Sequence, residues 1–327
     1  MRTDFSADQS PPLRDGAQPL LSIIINPGSG VHDLEQTREQ LARVFDEAGR
    51  RYEFVPVESP QALGEASREA AAIAARSGSV LVAVGGDGTI NTVAQAAWLA
   101  GCVLGIIPQG TFNFFGRGHG IPQELEAAAR ALVLGRQEPV QVGEVNGRLF
   151  LVNASLGLYP QLLEDRETSK KQWGRYRWVA MLSGIKTMLE WRRRMTLEID
   201  LDGQRSVIVT PTLFVGNNRL QLEKIGVEPA TAGRVGEGRL AAIATLPIGS
   251  WRMLWLLLHG ALGRLGEAPQ VHSFAFRTLT VRVPSMRKLK VAADGEVGVM
   301  KPPLSFCVSP KPLLLLLPRP EDRVAIE

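Results

Sequence analysis

Short apolar runs alternate with longer segments of helical spacing through the first 110 residues. Leu21 to Ile25 is a continuous apolar, β-rich run that ends in Asn26-Pro27-Gly28-Ser29-Gly30. Leu34 to Ala48 then places Leu34, Leu41, Val44, Phe45 and Ala48 at helical spacing, with Gly49 as the stop. Tyr52 to Val57 reads as a strand and the Ala/Glu/Arg-rich stretch Ala62 to Ala75 as a helix. Val80 to Val84 is a buried strand, followed by a glycine turn and a helix to about Ala100 that Gly101 ends. Val103 to Ile107 is a further buried strand. This alternation predicts an α/β domain: a parallel sheet with helices on both faces, three layers in all.

Beyond residue 140 the pattern changes. Gln141 to Val145 and Leu149 to Asn153 flank Asn146-Gly147, and Thr196 to Leu201 and Ser206 to Val215 flank Asp202-Gly203, two hairpin signatures. Leu240 to Leu246, Thr278 to Val283, Leu289 to Ala292 and Leu304 to Val308 also read as strands, so this half is predicted to be mainly antiparallel β. The expected organisation is a polar tail over 1–19, an α/β domain over 20–140, a β-rich domain over 141–318 whose last strand returns to the first domain, and a tail over 319–327. Two helical segments interrupt the second half. Trp173 to Trp191 carries an apolar stripe beside Lys170, Lys171, Arg175, Arg177, Lys186 and Arg192-Arg193-Arg194. A packed helix with a solvated basic face and a surface that docks on anionic lipid both fit that pattern. Trp251 to Leu262 is more apolar and suits either core or the wall of a lipid-accepting cleft.

Composition narrows the function classes. The chain has 327 residues, 45% of them hydrophobic, and a formal charge of +4. That mild positive balance suits nucleotides or acidic headgroups, and no basic-aromatic module points to nucleic acid. Cys102 and Cys307 are far apart in apolar runs and read as buried thiols of a reducing compartment, without zinc spacing around them. The tail lacks an apolar signal core and no run reaches the ~18 residues of a membrane span, so a cytoplasmic protein is expected, peripheral at most on the inner membrane face.

The chemistry concentrates in Gly85-Gly86-Asp87-Gly88-Thr89-Ile90-Asn91, between a strand and a helix. Glycines allow close backbone approach, and a helix start offers free N–H groups and partial positive charge to phosphates. Asp87 would be repelled by phosphates unless a cation intervenes or a hydroxyl needs orienting, and both point to phosphoryl transfer. Asn26–Gly30 and Gly110-Thr111-Phe112-Asn113 are further glycine turns after strands, and turns after parallel strands collect at one sheet edge. No Gly-Lys-Ser/Thr closes a P-loop, and Asn26–Gly30 lacks the third glycine of a dinucleotide fingerprint. Asp294-Gly295-Glu296 by itself reads as a hairpin turn.

Together these motifs, with Pro108-Gln109-Gly110-Thr111-Phe112-Asn113 and Phe214-Val215-Gly216-Asn217-Asn218, resemble the diacylglycerol kinase catalytic-domain family, which includes bacterial lipid kinases and sphingosine kinases. The match runs from about Leu21 to about Pro318, and the wider fold is shared with NAD kinases. The resemblance implies a two-domain kinase with ATP in the cleft, a nucleotide-binding first domain and a lipid-substrate second domain. Asn26, Pro27, Gly28, Ser29 and Gly30 with Gly85, Gly86, Asp87, Gly88, Thr89, Ile90 and Asn91 would surround the phosphates. Thr111, Asn113 and, on a loose alignment, Ser59 would contact the nucleotide. Glu296 beside Asp294 would be the general base for the lipid hydroxyl, and Asp87 would organise Mg²⁺. Two departures stand out. Phe114 follows Asn113 where many members carry Asp, and Glu237 replaces the Asp of a loop that binds a structural Mg²⁺ in some bacterial members. An ATP- and Mg²⁺-dependent lipid kinase is the leading expectation, with diacylglycerol as default acceptor. A lipid- or nucleotide-binding regulator that has lost activity and an NAD kinase are the alternatives. The oligomeric state stays open, a homodimer included.

Overall fold

The computed structural model describes residues 18–27, 34–157, 160, 194–245, 271–284 and 286–325. The chain divides into two compact units, Met1–Gln141 with Pro310–Glu327, and Val142–Ser309.

The first unit is built on β1 (Leu21–Ile25), β2 (Tyr52–Phe54), β3 (Val80–Gly85), β4 (Val103–Pro108), β5 (Arg136–Val140) and β18 (Leu313–Leu317). Their order is β2-β1-β3-β4-β18-β5. All neighbours run parallel except β5, which is antiparallel to β18. Every residue of β1 and β3 is buried, as a strand covered on two faces requires. The helices are α1 (Leu34–Glu47), α2 (Leu63–Ser77), α3 (Asp87–Ala100), α4 (Phe114–Gly118) and α5 (Leu125–Leu134). α1 packs beside α5 and α2 beside α3. α2 and α3 end on Gly78 and Gly101, both left-handed, whose N–H groups close back on Ala74 and Ala97.

The second unit pairs two antiparallel sheets of six strands. One has the order β10 (Gln204–Thr210), β9 (Met195–Leu201), β14 (Thr278–Arg282), β17 (Leu304–Val308), β6 (Gly143–Val145), β7 (Arg148–Phe150). The other runs β13 (Val271–Phe276), β12 (Leu240–Thr245), β11 (Thr212–Gly216), β8 (Asn153–Gly157), β15 (Leu289–Ala293), β16 (Glu296–Met300). Phe150, Leu197, Leu279 and Phe306 of the first meet Leu156, Val215, Phe276 and Val291 of the second in one core. Two short helices, α6 (Arg219–Lys224) and α7 (Pro229–Ala232), bring Leu222 and Ala232 against Ala241 and Ile243.

Two expected strands are divided. Ser206 to Val215 breaks at Pro211, which has no N–H to give a ladder, and its halves β10 and β11 join different sheets. Leu149 to Asn153 likewise breaks at Leu151-Val152, where the chain passes from β7 in one sheet to β8 in the other. The segments Trp173 to Trp191 and Trp251 to Leu262, and Gly28, Ser29 and Gly30, lie outside the described residues. No helix among the described residues is long and apolar enough to cross a membrane.

Candidate active site

β1, β3 and β4 are adjacent and parallel, so their three following turns open at one edge of the sheet. The loop after β2, which holds the half-buried Ser59, opens at the same edge. Side chains tie the turns together. Asn26 Nδ2 donates to Thr89 Oγ1 at 3.0 Å, joining the β1 turn to the start of α3. The N–H of Gln109 donates to the carbonyl of Gly85 at 2.8 Å, joining the β4 turn to the β3 turn. Gly86 and Gly110 then pass so closely that a Cβ on Gly110 would lie 2.9 Å from the Cα of Gly86 and 2.6 Å from Asn113 Oδ1. Glycine at position 110 follows from this approach, whereas a Cβ on Gly86 would make only an ordinary 3.4 Å contact with the Cα of Gly110.

Asp87 is the first residue of α3, with Gly86 as its cap. Its Oδ2 accepts the N–H of Asn113 at 3.1 Å. Burial raises its pKa, and backbone N–H groups of Asn113, Asp87 itself and Phe114 oppose that rise. Asn113 is buried and left-handed, with φ of 47°. Its Oδ1 accepts from the N–H of Gly110 at 3.0 Å, while Nδ2 donates to the Gly110 carbonyl and to Gln123 Oε1, both at 2.9 Å. Asparagine suits this place because it accepts and donates at once; a carboxylate would lose both donations. Phe114 supplies an N–H to Asp87, and its ring stacks on Phe112 with centroids 5.7 Å apart and planes within 4°. Thr89, Ile90 and Asn91 are buried along α3, Gly88 is exposed, and Thr111 and Pro27 are exposed at the tips of their turns.

In the second unit, Asp294 and Gly295 form a two-residue turn between β15 and β16, with φ of 46° and 87°. Asp294 Oδ2 accepts the N–H of Leu151 at 2.6 Å, and Oδ1 accepts those of Val152 and Asn153, each at 2.9 Å. The motif Phe214–Asn218 holds the other side of that loop: Asn217 gives its backbone N–H to the Val152 carbonyl at 2.8 Å and its Nδ2 to the Leu151 carbonyl at 2.9 Å. Asn218 caps α6 by accepting the N–H of Gln221 at 2.8 Å. Glu296, two residues past Asp294, is exposed, and its Oε2 meets Arg148 Nη2 at 2.8 Å. The loop of Glu237 turns at Gly236 and Gly238, with φ of 95° and 72°, and leaves Glu237 exposed. Among the described residues no group of three His, Cys, Asp or Glu side chains gathers as a metal cage.

Gln123 and Arg148 are absent from the sequence-based site. Gln123 follows the third turn closely enough to have been a candidate anchor. Nothing local marks Arg148, which is 148 positions from Glu296.

Comparison with known proteins decides the family. The diacylglycerol kinase catalytic domain matches residues 21–145. A diacylglycerol kinase of Bacillus subtilis (strain 168) is 30% identical over 299 residues, 86% of this chain and 90% of that protein. The chain belongs to the diacylglycerol kinase catalytic-domain family. A diacylglycerol kinase of Staphylococcus aureus (strain MRSA252) is 26% identical over 281 residues, covering 84% of this chain and 85% of its own. A crystal structure of a diacylglycerol kinase from Bacillus anthracis str. Sterne shares the fold, with a TM-score of 0.64 at 18% identity over 93% of this chain and 97% of that one. Family membership and the architecture agree with the motifs read from the sequence.

Proposed function

We propose that this family member transfers the γ-phosphoryl group of ATP to a lipid hydroxyl, with diacylglycerol as the acceptor. The observation that carries the proposal is the joining of Asp87, Asn113, Gly86 and Gly110 into one rigid edge at the start of α3. The residues present suit a nucleoside triphosphate. The first N–H groups of α3 have no carbonyl acceptor within the helix, two glycines keep the approach open, and the neighbouring turns are braced by Asn26 and Gln109. A magnesium ion bound with ATP would neutralise phosphate charge, and Asp87 is the carboxylate of this edge that would hold it.

In the transfer, the lipid oxygen bonds to the γ-phosphorus as the β,γ-bridging P–O bond breaks, ADP leaves, and Glu296 takes the hydroxyl proton. Asp294, whose two oxygens are held by three backbone N–H groups, sets the turn that presents Glu296. The relatives' name supports diacylglycerol as acceptor.

The test is the full chain with γ-labelled ATP and Mg²⁺ against mixed micelles of diacylglycerol, of a sphingoid base, and of detergent alone with NAD added. Label in phosphatidic acid is the expected result. Label only in NADP or in the phosphorylated sphingoid base replaces the acceptor. Nucleotide binding with no labelled product in any arm overturns the kinase reading.

A further inference from the structure

The proposed proton acceptor is the exposed first residue of β16, where a glutamate with three rotatable bonds has little to keep its carboxylate in one place. Arg148 supplies what the strand does not. Its Nη2 meets Glu296 Oε2 at 2.8 Å, with 29% of the Arg148 side chain and 50% of the Glu296 side chain exposed. β7 and β16 are edge strands of the two different sheets, so this ion pair bridges two sheet edges.

Both partners have anchored roots. Arg148 follows the turn Asn146-Gly147, where Asn146 Oδ1 accepts the N–H of Ser305 at 2.8 Å and Nδ2 donates to the Pro303 carbonyl at 3.1 Å. Glu296 follows Asp294, which grips the Leu151–Asn153 loop that directly succeeds β7. The path of the guanidinium is open because residue 298 lacks a side chain. A Cβ on Gly298 would lie 2.9 Å from Arg148 Nη1. Gly298 and Glu296 are two apart on β16 and so face the same way, and the arginine crosses both.

A pair this exposed adds at most about 1 kcal/mol to stability. Its geometry is therefore poorly explained as a staple for the fold. We propose that Arg148 is a positioning residue for the phosphoryl transfer: it holds Glu296 by one oxygen and leaves Oε1 to receive the proton of the lipid hydroxyl. Gly298 is part of the same device, because it keeps the guanidinium against the strand. This inference rests on Glu296 as the proton acceptor.

Steady-state kinetics on the full chain with Mg-ATP and diacylglycerol micelles test it, with R148Q, R148K, G298A, E296Q and the double variant R148Q/E296Q, and a thermal melt for each. Misplacing a reacting group by about 1 Å costs up to about 100-fold. R148Q is expected to lower kcat by about 10- to 100-fold with the KM for ATP unchanged and the melting temperature nearly unchanged, while R148K retains more activity. G298A displaces the arginine without removing it and is expected to lower kcat in the same direction. R148Q/E296Q is expected to be no slower than E296Q. R148Q or G298A at wild-type kcat overturns the positioning role. So does a further loss on adding R148Q to E296Q, which shows that the arginine acts elsewhere. E296Q at wild-type kcat overturns instead the assignment of Glu296 itself, and this inference falls with it.

Discussion

Asp87 and Asn113 are joined by a hydrogen bond of 3.1 Å from the backbone N–H of the asparagine to the carboxylate. Asn113 adopts a left-handed conformation, and its side chain ties back to both backbone groups of Gly110. The bond therefore fixes the carboxylate relative to two turns at once, one after β3 and one after β4.

Replacing Asp87 with Asn keeps an oxygen to accept that N–H and removes the charge. D87N is expected to stay folded with a modestly lower melting temperature, since one of the two acceptor oxygens is lost, and to lose at least about 100-fold in kcat, because electrostatic groups at a transferring phosphoryl are worth several kcal/mol each. Turnover within a factor of a few of the parent would remove Asp87 from the mechanism.

At Gly110 a single methyl group is too much. A Cβ would stand 2.6 Å from Asn113 Oδ1 and 2.9 Å from the Cα of Gly86, and the second contact is with backbone that cannot swing aside. Overpacking of this kind costs about 1–3 kcal/mol. G110A is expected to lower the denaturant midpoint accordingly and to weaken ATP binding measured by calorimetry. G88A is the control for the denaturant midpoint, since a Cβ there meets nothing within 4 Å.

Asp294 answers three buried backbone N–H groups. D294A leaves them without an acceptor and is expected to destabilise the second unit by about 2–4 kcal/mol. D294N restores one acceptor oxygen and is expected to fall between. Urea denaturation of the three proteins ranks them, and equal midpoints would contradict the clamp.

His119 gives the fold an acid limit. Burial, then the positive charge of Arg323, pushes its imidazole from 6.5 down to about 4, against a smaller opposite effect of Glu138. Its ring also meets Phe115 edge-on at 4.8 Å. Between pH 6.5 and 4 the unfolded chain binds a proton that the folded chain refuses. The contribution to stability is thus complete above 6.5 and is lost as pH falls toward 4. H119Q is expected to show a flatter dependence of melting temperature on pH across that window. Parallel curves for the two proteins would refute the assignment.

Local periodicity made the strand–helix alternation of the first unit legible, because burial on both faces writes unbroken apolar runs such as Leu21–Ile25 and Val80–Val84 into the chain. Glycine turns after strands were equally plain, since few residues other than glycine tolerate such close backbone approach. The sequence by itself thus determined the turns at one sheet edge and the two-residue turn at Asp294-Gly295. Other relationships appear only in three dimensions. A return of the last strand to the first domain was expected, but not the place of Leu313–Leu317 between β4 and β5, nor that Pro211 sends β10 and β11 into separate sheets. Asn217 and Asp294 hold the Leu151–Asn153 loop from two sides, and Arg148 reaches Glu296 across 148 positions. These pairings are decided by which chain segments become neighbours in the packed sheets, and a residue's own neighbours along the chain carry no record of that.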